Sequence, residues 1–120
     1  MRTSDDRSLD MNAWNWGVLH HVVDVAGIFP GEVWEPVRSG GGTLEADQVT
    51  ALAGFLADRV LPHIAPGQRM FPDGTITDVP DDGTFYREPS EMWKNYSLHH
   101  EVLVEAIEFL RGAGGPITIS

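Results

Sequence analysis

Histidines and carboxylates are the residues of this chain whose types and spacing come closest to active-site chemistry. Two adjacent histidine pairs, at 20–21 and 99–100, fall in segments with helical periodicity. His20 and Asp24 lie one turn apart on a predicted helix, a spacing at which an imidazole and a carboxylate can share a metal ion. His100 is the candidate third ligand for a divalent metal such as zinc. This hypothesis depends on the convergence of the three side chains.

The alternative for the same histidines is structural. On a helical wheel, His20 falls on the polar side of its helix, whereas His99 falls in the centre of an apolar arc. A histidine in such an arc is usually a hydrogen-bonded core residue. The chain contains no G-x-S-x-G or H-E-x-x-H motif and no specific zinc spacing, so the sequence favours no catalytic residue.

Tryptophan provides a second set of candidates. Four tryptophans occur in 120 residues, and most are expected to pack in the core or at its edge. Trp16 and Trp93 lie at the edges of apolar stripes. Because tryptophan is enriched among binding hot spots, these two are the candidate anchors for a partner.

The charge of the chain limits the kinds of partner. Eighteen acidic residues against eight basic ones give a net charge of −10. The few basic residues are scattered, which disfavours binding to nucleic acid or to anionic lipid. An acidic surface favours a basic protein partner, chiefly through the association rate. Solubility alone is the simpler explanation of the same charge.

The composition indicates a cytoplasmic protein. The chain has no cysteine, which excludes disulfides and thiolate metal sites and favours a reducing compartment. Residues 1–10 lack the apolar core of a signal peptide, and no apolar run approaches the roughly 20 residues of a membrane span. We expect residues 1–10 to be a disordered tail and residues 11–120 to form a single globular domain.

Three amphipathic helices are predicted to position the candidate residues. The first spans about 13–26, with Asn12 or Asp10 as its cap and Gly27 as its stop. The second spans about 44–61, begins after Thr43 and ends at a proline. The third spans about 90–111 and ends at a run of glycines.

A small antiparallel β element completes the predicted fold, which is α+β and mainly α. Residues 32–38 are predicted to be extended, and Pro36 favours an edge strand there. Residues 75–87 are predicted to form a hairpin around the turn at 80–83. Residues 117–120 are predicted to be a C-terminal strand that pairs with one of these segments.

Three further patterns indicate a family resemblance. Asn12, Trp14 and Trp16 form an N-x-W-x-W motif on the first helix, a glycine turn leads into a helix with Leu52 and Leu56, and Phe109 precedes a Leu-Arg and glycine ending. In these features the chain resembles a family of small bacterial proteins without an established function. The resemblance covers residues 12–61 and 105–119 and implies the order helix, turn, helix, loop, helix, strand. It implies no activity.

We interpret the chain as a non-enzymatic, acidic protein-interaction domain of an immunity- or inhibitor-like kind. The alternative is a metal- or ligand-binding protein, a hydrolase among the options, that uses His20, Asp24 and His100. A third alternative is self-association as a homodimer through a tryptophan-lined face.

Overall fold

The computed structural model describes residues 1–38 and 41–119. Within them, four helices and two small antiparallel sheets surround one hydrophobic core, which confirms the predicted mainly α, α+β fold. The helices are α1 (Ala13–Ala26), α2 (Gly31–Arg38), α3 (Ala46–Phe55) and α4 (His100–Arg111). The two-residue strands are β1 (Arg2–Thr3), β2 (Thr43–Leu44), β3 (Arg69–Met70), β4 (Ile76–Thr77), β5 (Leu98–His99) and β6 (Ile117–Thr118).

Helix α1 has the predicted bounds because both of its ends are specified locally. At the start, Asn12 Oδ1 accepts a hydrogen bond from the backbone N–H of Asn15 at 2.9 Å, as an N-cap does. At the end, Gly27 adopts a φ of 67°, a left-handed conformation that carries little strain in glycine. The helix therefore stops where the sequence predicts.

Residues 32–38, predicted to be extended, form helix α2 instead. The Pro30 carbonyl closes the first turn by accepting a hydrogen bond from the Trp34 N–H at 3.1 Å. Trp34 and Val37 lie on one face of this helix and are both buried. Each such burial contributes roughly 1.5–3 kcal/mol. Together they offset the cost of Pro36, which is about 3 kcal/mol in a helix interior. Pro36 had indicated that the predicted strand would be an edge strand, and tertiary burial overrides this prediction.

The second predicted helix is present but starts later than expected. Thr43 and Leu44, predicted as the cap and the first helical residue, form β2. Helix α3 begins after Glu45, whose N–H donates a hydrogen bond to Gln48 Oε1 at 2.9 Å. The pairing of β2 with β6 holds this part of the chain extended.

The same helix changes type before it ends. After Phe55 the chain continues as a wide π-helical turn over Leu56–Val60 and then as a 3-10 turn over Leu61–His63. Pro62 lies in the 3-10 turn, and its missing N–H stops the regular ladder. The predicted end near residue 61 is therefore close to the end of the α-helical and π-helical part.

Strand β6 is the centre of the first sheet, whose order is β1-β6-β2. Ile117 pairs with Thr3 on one side and with Leu44 on the other. The predicted C-terminal strand is thus confirmed over Ile117–Thr118, while Ser120 lies outside the described residues. The predicted pairing was wrong, since β6 pairs with β1 and β2 and not with residues 32–38 or the hairpin. Because β6 has a partner on both edges, its backbone hydrogen bonds are satisfied on both sides.

Residues 1–10 differ from the disordered tail that the sequence predicts. They supply strand β1, and the Leu9 N–H donates to the Met1 carbonyl at 2.9 Å. The guanidinium of Arg7 donates to the carbonyl of Gly112, just beyond α4. The pairing of β1 with β6, together with these hydrogen bonds, orders a polar segment that has no hydrophobic pattern of its own.

The hairpin predicted over residues 75–87 does not form. Its first strand, β4, pairs with β3 instead, through the turn at residues 71–75. That turn has Gly74 at a φ of 89°, and the Thr75 N–H donates to Asp73 Oδ1 at 2.9 Å. The Pro-Asp-Gly sequence at 72–74 therefore makes the tight turn that was expected at 80–83.

The third predicted helix is much shorter than expected. Helix α4 begins at His100, and the preceding residues form a 3-10 turn over Met92–Asn95 and strand β5. Strand β5 pairs with β3 in a second sheet of order β4-β3-β5. In addition, the His99 N–H donates to Asn15 Oδ1 on α1 at 2.9 Å. These contacts hold the backbone extended where the apolar pattern alone predicts helix.

The core lies between α1, α3 and α4, with α3 packed on α4 and α1 packed on β5. In the part of the chain that the structure describes, no helix combines the length and the apolar character that crossing a membrane requires.

Candidate binding site

His20 belongs to the core. Its imidazole stacks on the indole of Trp34, with ring centroids 4.7 Å apart and planes inclined by 10°. The Trp34 Nε1–H donates to the His20 carbonyl at 3.1 Å, and His20 Nε2 lies 3.3 Å from the Trp34 carbonyl. Trp16 packs beside this pair, 5.9 Å from the His20 ring. Helix α2 therefore covers a histidine that the helical wheel places on the polar side.

The other metal candidates do not complete a site with His20. Asp24 is exposed and lines a shallow cleft of about 470 Å³ together with Trp16 and His20. His100 lies at the start of α4, where its Nδ1–H donates to the Ile64 carbonyl at 2.6 Å. Across residues 1–38 and 41–119, no three His, Asp or Glu side chains are grouped so that they could hold a metal ion. The convergence that the metal hypothesis required is not found among these residues.

A different feature lies beside the loop between β4 and β5, namely an aromatic cleft of about 270 Å³. We define the aromatic cleft by the residues that line it: Trp14, Arg69, Phe71, Asp81, Asp82, Gly83, Thr84, Phe85, Tyr86, Lys94 and Asn95. Most of them come from the segment between β4 and β5, which is poor in regular structure. Binding residues often lie on loops that a rigid scaffold holds in position.

Trp14 forms the helical wall of the aromatic cleft. It is the second residue of α1 and is 38% exposed. Its indole meets the ring of Tyr96 edge-on, with centroids 4.9 Å apart, and lies 6.0 Å from the ring of Phe85. Phe85 is 55% exposed. Two large, partly exposed rings therefore lie side by side at a tilt on the surface, where a ligand can contact both.

Phe71 and Trp93 extend this surface. Their rings meet edge-on with centroids 5.3 Å apart, and Trp93 is 39% exposed. Trp93 thus lies at the aromatic cleft, next to one of its lining residues. Trp16, the other predicted anchor, is partly buried beside His20 and does not line this cleft.

Two cations brace the rings from within the cleft. The Arg69 guanidinium lies 4.8 Å from the ring centroid of Phe71, and its Nε–H donates to the Val79 carbonyl at 3.1 Å. The Lys94 ammonium lies 5.4 Å from the Tyr86 ring and pairs with Glu91 at 3.1 Å. Both positive charges are therefore engaged by groups of the protein itself, as cation–π contacts and hydrogen bonds.

Asn95 holds the outer wall of the cleft in place. Its Oδ1 accepts a hydrogen bond from the Tyr86 N–H, and its Nδ2 donates to the Tyr86 carbonyl, both at 2.8 Å. This two-point contact imitates the hydrogen bonding of a neighbouring strand. It fixes the segment that carries Phe85 against the 3-10 turn before β5.

The carboxylates of the cleft are used to shape its loop. Asp81 Oδ1 accepts from the Gly83 N–H at 3.0 Å, and Asp82 Oδ1 accepts from the Thr84 N–H at 2.9 Å. The hydrogen bonds from Thr84 hold the pKa of Asp82 below its ordinary value of 3.8, and the charge of Arg69 adds to this effect. Asp82 is therefore a carboxylate anion at neutral pH, at the edge of an aromatic surface.

One arrangement near the cleft combines the residue types of a serine hydrolase. Ser97 Oγ lies 3.4 Å from His99 Nε2, and Asp81 Oδ2 lies 3.8 Å from the same nitrogen. A catalytic triad needs the acid on the other ring nitrogen, where it orients the imidazole. Ser97 is also only 1% exposed and accepts a hydrogen bond from Arg69 at 3.3 Å. The cluster therefore attaches the loop of Asp81 to the sheet and presents no nucleophile to solvent.

No protein family matches this chain, and neither the curated proteins nor the solved structures give a match. The family resemblance indicated by the N-x-W-x-W pattern stays a prediction.

Sequence reasoning found one residue of the aromatic surface, Trp93, and missed the others. Trp14 was expected to lie at the edge of the core, and Phe85 was assigned to a hairpin strand. A usable signal was present, because residues 71–96 combine five aromatic residues with many Pro, Gly and Asp and have no helical periodicity. Aromatic residues in such a segment cannot all be buried in the core. Those that stay exposed form a cluster, and an exposed aromatic cluster indicates an interaction surface.

Proposed function

We propose that this protein is a non-enzymatic interaction domain that holds a partner polypeptide in the aromatic cleft. The observation that carries the proposal is the exposure of three large aromatic rings, Trp14, Phe85 and Trp93, in and beside one cleft. Apolar area removed from water stabilises a complex by about 25 cal/mol per Å². An exposed aromatic cluster of this kind marks an interaction surface.

The packing of the cleft supports binding more than catalysis. Arg69, Lys94 and Asn95 each make contacts that hold the rings and the loop in position. Such bracing pre-organises a surface before a partner arrives, and pre-organisation lowers the entropic cost of association.

The charge of the chain supports a basic partner, and hence an immunity- or inhibitor-like role. The net charge is −10, and Glu101, Glu105 and Glu108 on α4 are all exposed. An acidic surface increases the rate of encounter with a basic protein, and salt reduces that rate. A cytoplasmic location is part of the same proposal, supported by the lack of cysteine.

The proposal is tested by capture from extracts of the source cells. Wild-type protein and the variant Phe85→Ala are immobilised side by side, with Val25→Ala as the matched control. Val25 is 72% exposed and does not line the cleft. We expect at least one partner that wild type and Val25→Ala retain and that Phe85→Ala loses. Adding salt should slow the association of that partner with the wild-type protein.

Equal capture by Phe85→Ala and wild type would overturn the proposal, since a partner that ignores the most exposed ring does not use the cleft. Circular dichroism and thermal unfolding of each variant establish that the fold is intact. Phe85 is the most exposed of the three rings, so its removal should disturb the fold least, and it is preferred to Trp14 for this test.

A further inference from the structure

We infer that the aromatic cleft takes a proline-rich segment in the polyproline II conformation, with a basic residue beside it. The inference rests on the proposed function and names the class of partner for the same site. It follows from three properties of the cleft, which are its rings, its hydrogen-bonding groups and its charge.

The rings fit a proline-rich ligand. Trp14 and Phe85 line the cleft with their planes inclined by 55° and their centroids 6.0 Å apart. Polyproline II segments are recognised by grooves lined with aromatic side chains. Such a segment has three residues per turn and no internal hydrogen bonds, so its proline rings are available to pack on aromatic faces. Because the conformation exists before binding, little entropy is lost when the segment docks.

The hydrogen-bonding groups of the cleft fit an acceptor-rich ligand. Within the described part of the chain, neither the Trp14 indole N–H nor the Tyr86 hydroxyl has a hydrogen-bond acceptor in reach. By contrast, both ends of the Asn95 amide are occupied by the Tyr86 backbone. Proline has no N–H, so a proline-rich segment offers carbonyl oxygens and few donors. The donors of the cleft and the acceptors of such a ligand are complementary.

The charge at the edge of the cleft fits a basic residue on the ligand. Arg69 and Lys94 are already held by groups of the protein, which leaves the carboxylates of Asp81 and Asp82 at an exposed edge. Each carboxylate uses Oδ1 within its own turn. The other oxygen of Asp82 can receive an arginine or lysine next to the proline segment, whereas Asp81 Oδ2 lies 3.8 Å from His99 Nε2 and contributes its charge to the same edge.

The test uses synthetic peptides and the full chain. The probe is an oligoproline peptide that ends in arginine. One control peptide ends in glutamate, and the other is a glycine-serine peptide of equal length that ends in arginine. Affinity is measured by calorimetry, and the contact site is mapped from the backbone amide of Tyr86 and the indole N–H of Trp14 by NMR.

We expect the arginine-ended oligoproline to bind with a Kd below about 1 mM. Phe85→Ala should weaken it by about tenfold, whereas Val25→Ala should not. The pair Asp81→Asn and Asp82→Asn keeps the acceptors of both turns but removes the charges. It should weaken the arginine-ended peptide several-fold and should not weaken the glutamate-ended peptide, for which it removes a repulsion.

Three outcomes would overturn the inference. Equal binding of the glycine-serine peptide would mean that charge alone attracts the ligand. Absence of oligoproline binding, with the Phe85-dependent capture from extracts intact, would leave the proposed function standing with another class of partner. A dimer in solution scattering that Phe85→Ala dissociates would make a second copy of this chain the occupant. If the Phe85-dependent capture also fails, the proposed function falls with the inference.

Discussion

The imidazole of His20 and the indole of Trp34 stack at 4.7 Å and exchange contacts with each other's backbone. This pair joins α1 to the helix that the sequence did not predict. It explains why a histidine at a metal-like spacing is buried, and it gives the first prediction.

Replacing Trp34 with phenylalanine should destabilise the fold. The variant loses the Nε1–H donor to the His20 carbonyl at 3.1 Å and leaves a gap in the core. We expect the free energy of unfolding to fall by about 1–3 kcal/mol, the range for a lost hydrogen bond plus a partly filled cavity. Trp93→Phe, at a half-exposed position, is the matched control and should change it by less than about 0.5 kcal/mol. Urea unfolding measures both, and equal effects would contradict the assignment of Trp34 to the core.

Replacing Asn95 with alanine should loosen the outer wall of the aromatic cleft. The change removes both hydrogen bonds to the Tyr86 backbone. We expect faster hydrogen exchange at the Tyr86 amide, with little change at amides in α1, because the segment opens locally. Asn95→Asp keeps the acceptor for that amide and should retain more of its protection. Unchanged exchange in Asn95→Ala would show that other contacts hold the segment.

Two glycines should respond to alanine in opposite directions. A Cβ at Gly42 would lie 2.7 Å from Val37 Cγ2 and 2.8 Å from the Val37 backbone nitrogen, whereas a Cβ at Gly54 in α3 meets no atom within 4 Å. We expect Gly42→Ala to lower the free energy of unfolding by about 1–3 kcal/mol. Gly54→Ala should raise it by about 0.5–1 kcal/mol, because alanine favours the helix. Thermal unfolding of both variants measures the signs, and a stabilised Gly42→Ala would refute the close approach.

Lowering the pH should reduce the stability that the Asp82 loop contributes to the fold. The pKa of this carboxyl is lowered in the folded state, first by its hydrogen bonds from Thr84 and last by the charge of Arg69. The unfolded chain therefore binds the proton more readily, so stability rises with pH through this window. The contribution is present above the ordinary value of 3.8 and is lost as pH falls through the lower folded pKa.

Asp82→Asn tests this dependence because the amide keeps the acceptor and cannot titrate. We expect the urea midpoint of the wild type to fall more steeply than that of the variant between about pH 5 and about pH 3. Parallel curves for the two proteins would contradict the assigned cause.

The parts of the fold that sequence reasoning predicted correctly are those whose signals are local. Asn12 caps the helix that begins one residue later, and Gly27 ends it, so each boundary is decided by the chemistry of neighbouring residues. The acidic character also follows from composition. The predictions failed at residues 32–38 and 90–99, where a proline or an apolar run favoured one structure and distant partners imposed another.

The aromatic cleft shows the same limit for function. Trp93 was chosen as the edge of a helical stripe, but it lies in a 3-10 turn, so the reason for the choice was wrong although the side chain is exposed. Trp14 and Phe85 were not found as a pair, because residues so far apart in sequence meet only when the loop after β4 folds over α1. No spacing rule connects positions that distant.

The sequence by itself determined the charge, the absence of thiol chemistry and the bounds of α1, since each depends on residue types or on contacts within a few positions. Only the tertiary structure decided that residues 31–38 are helical, that His20 is buried under Trp34, and that the loop aromatics form a cleft. The physical reason is that burial and strand pairing between distant segments contribute several kcal/mol, more than the local preferences that they override.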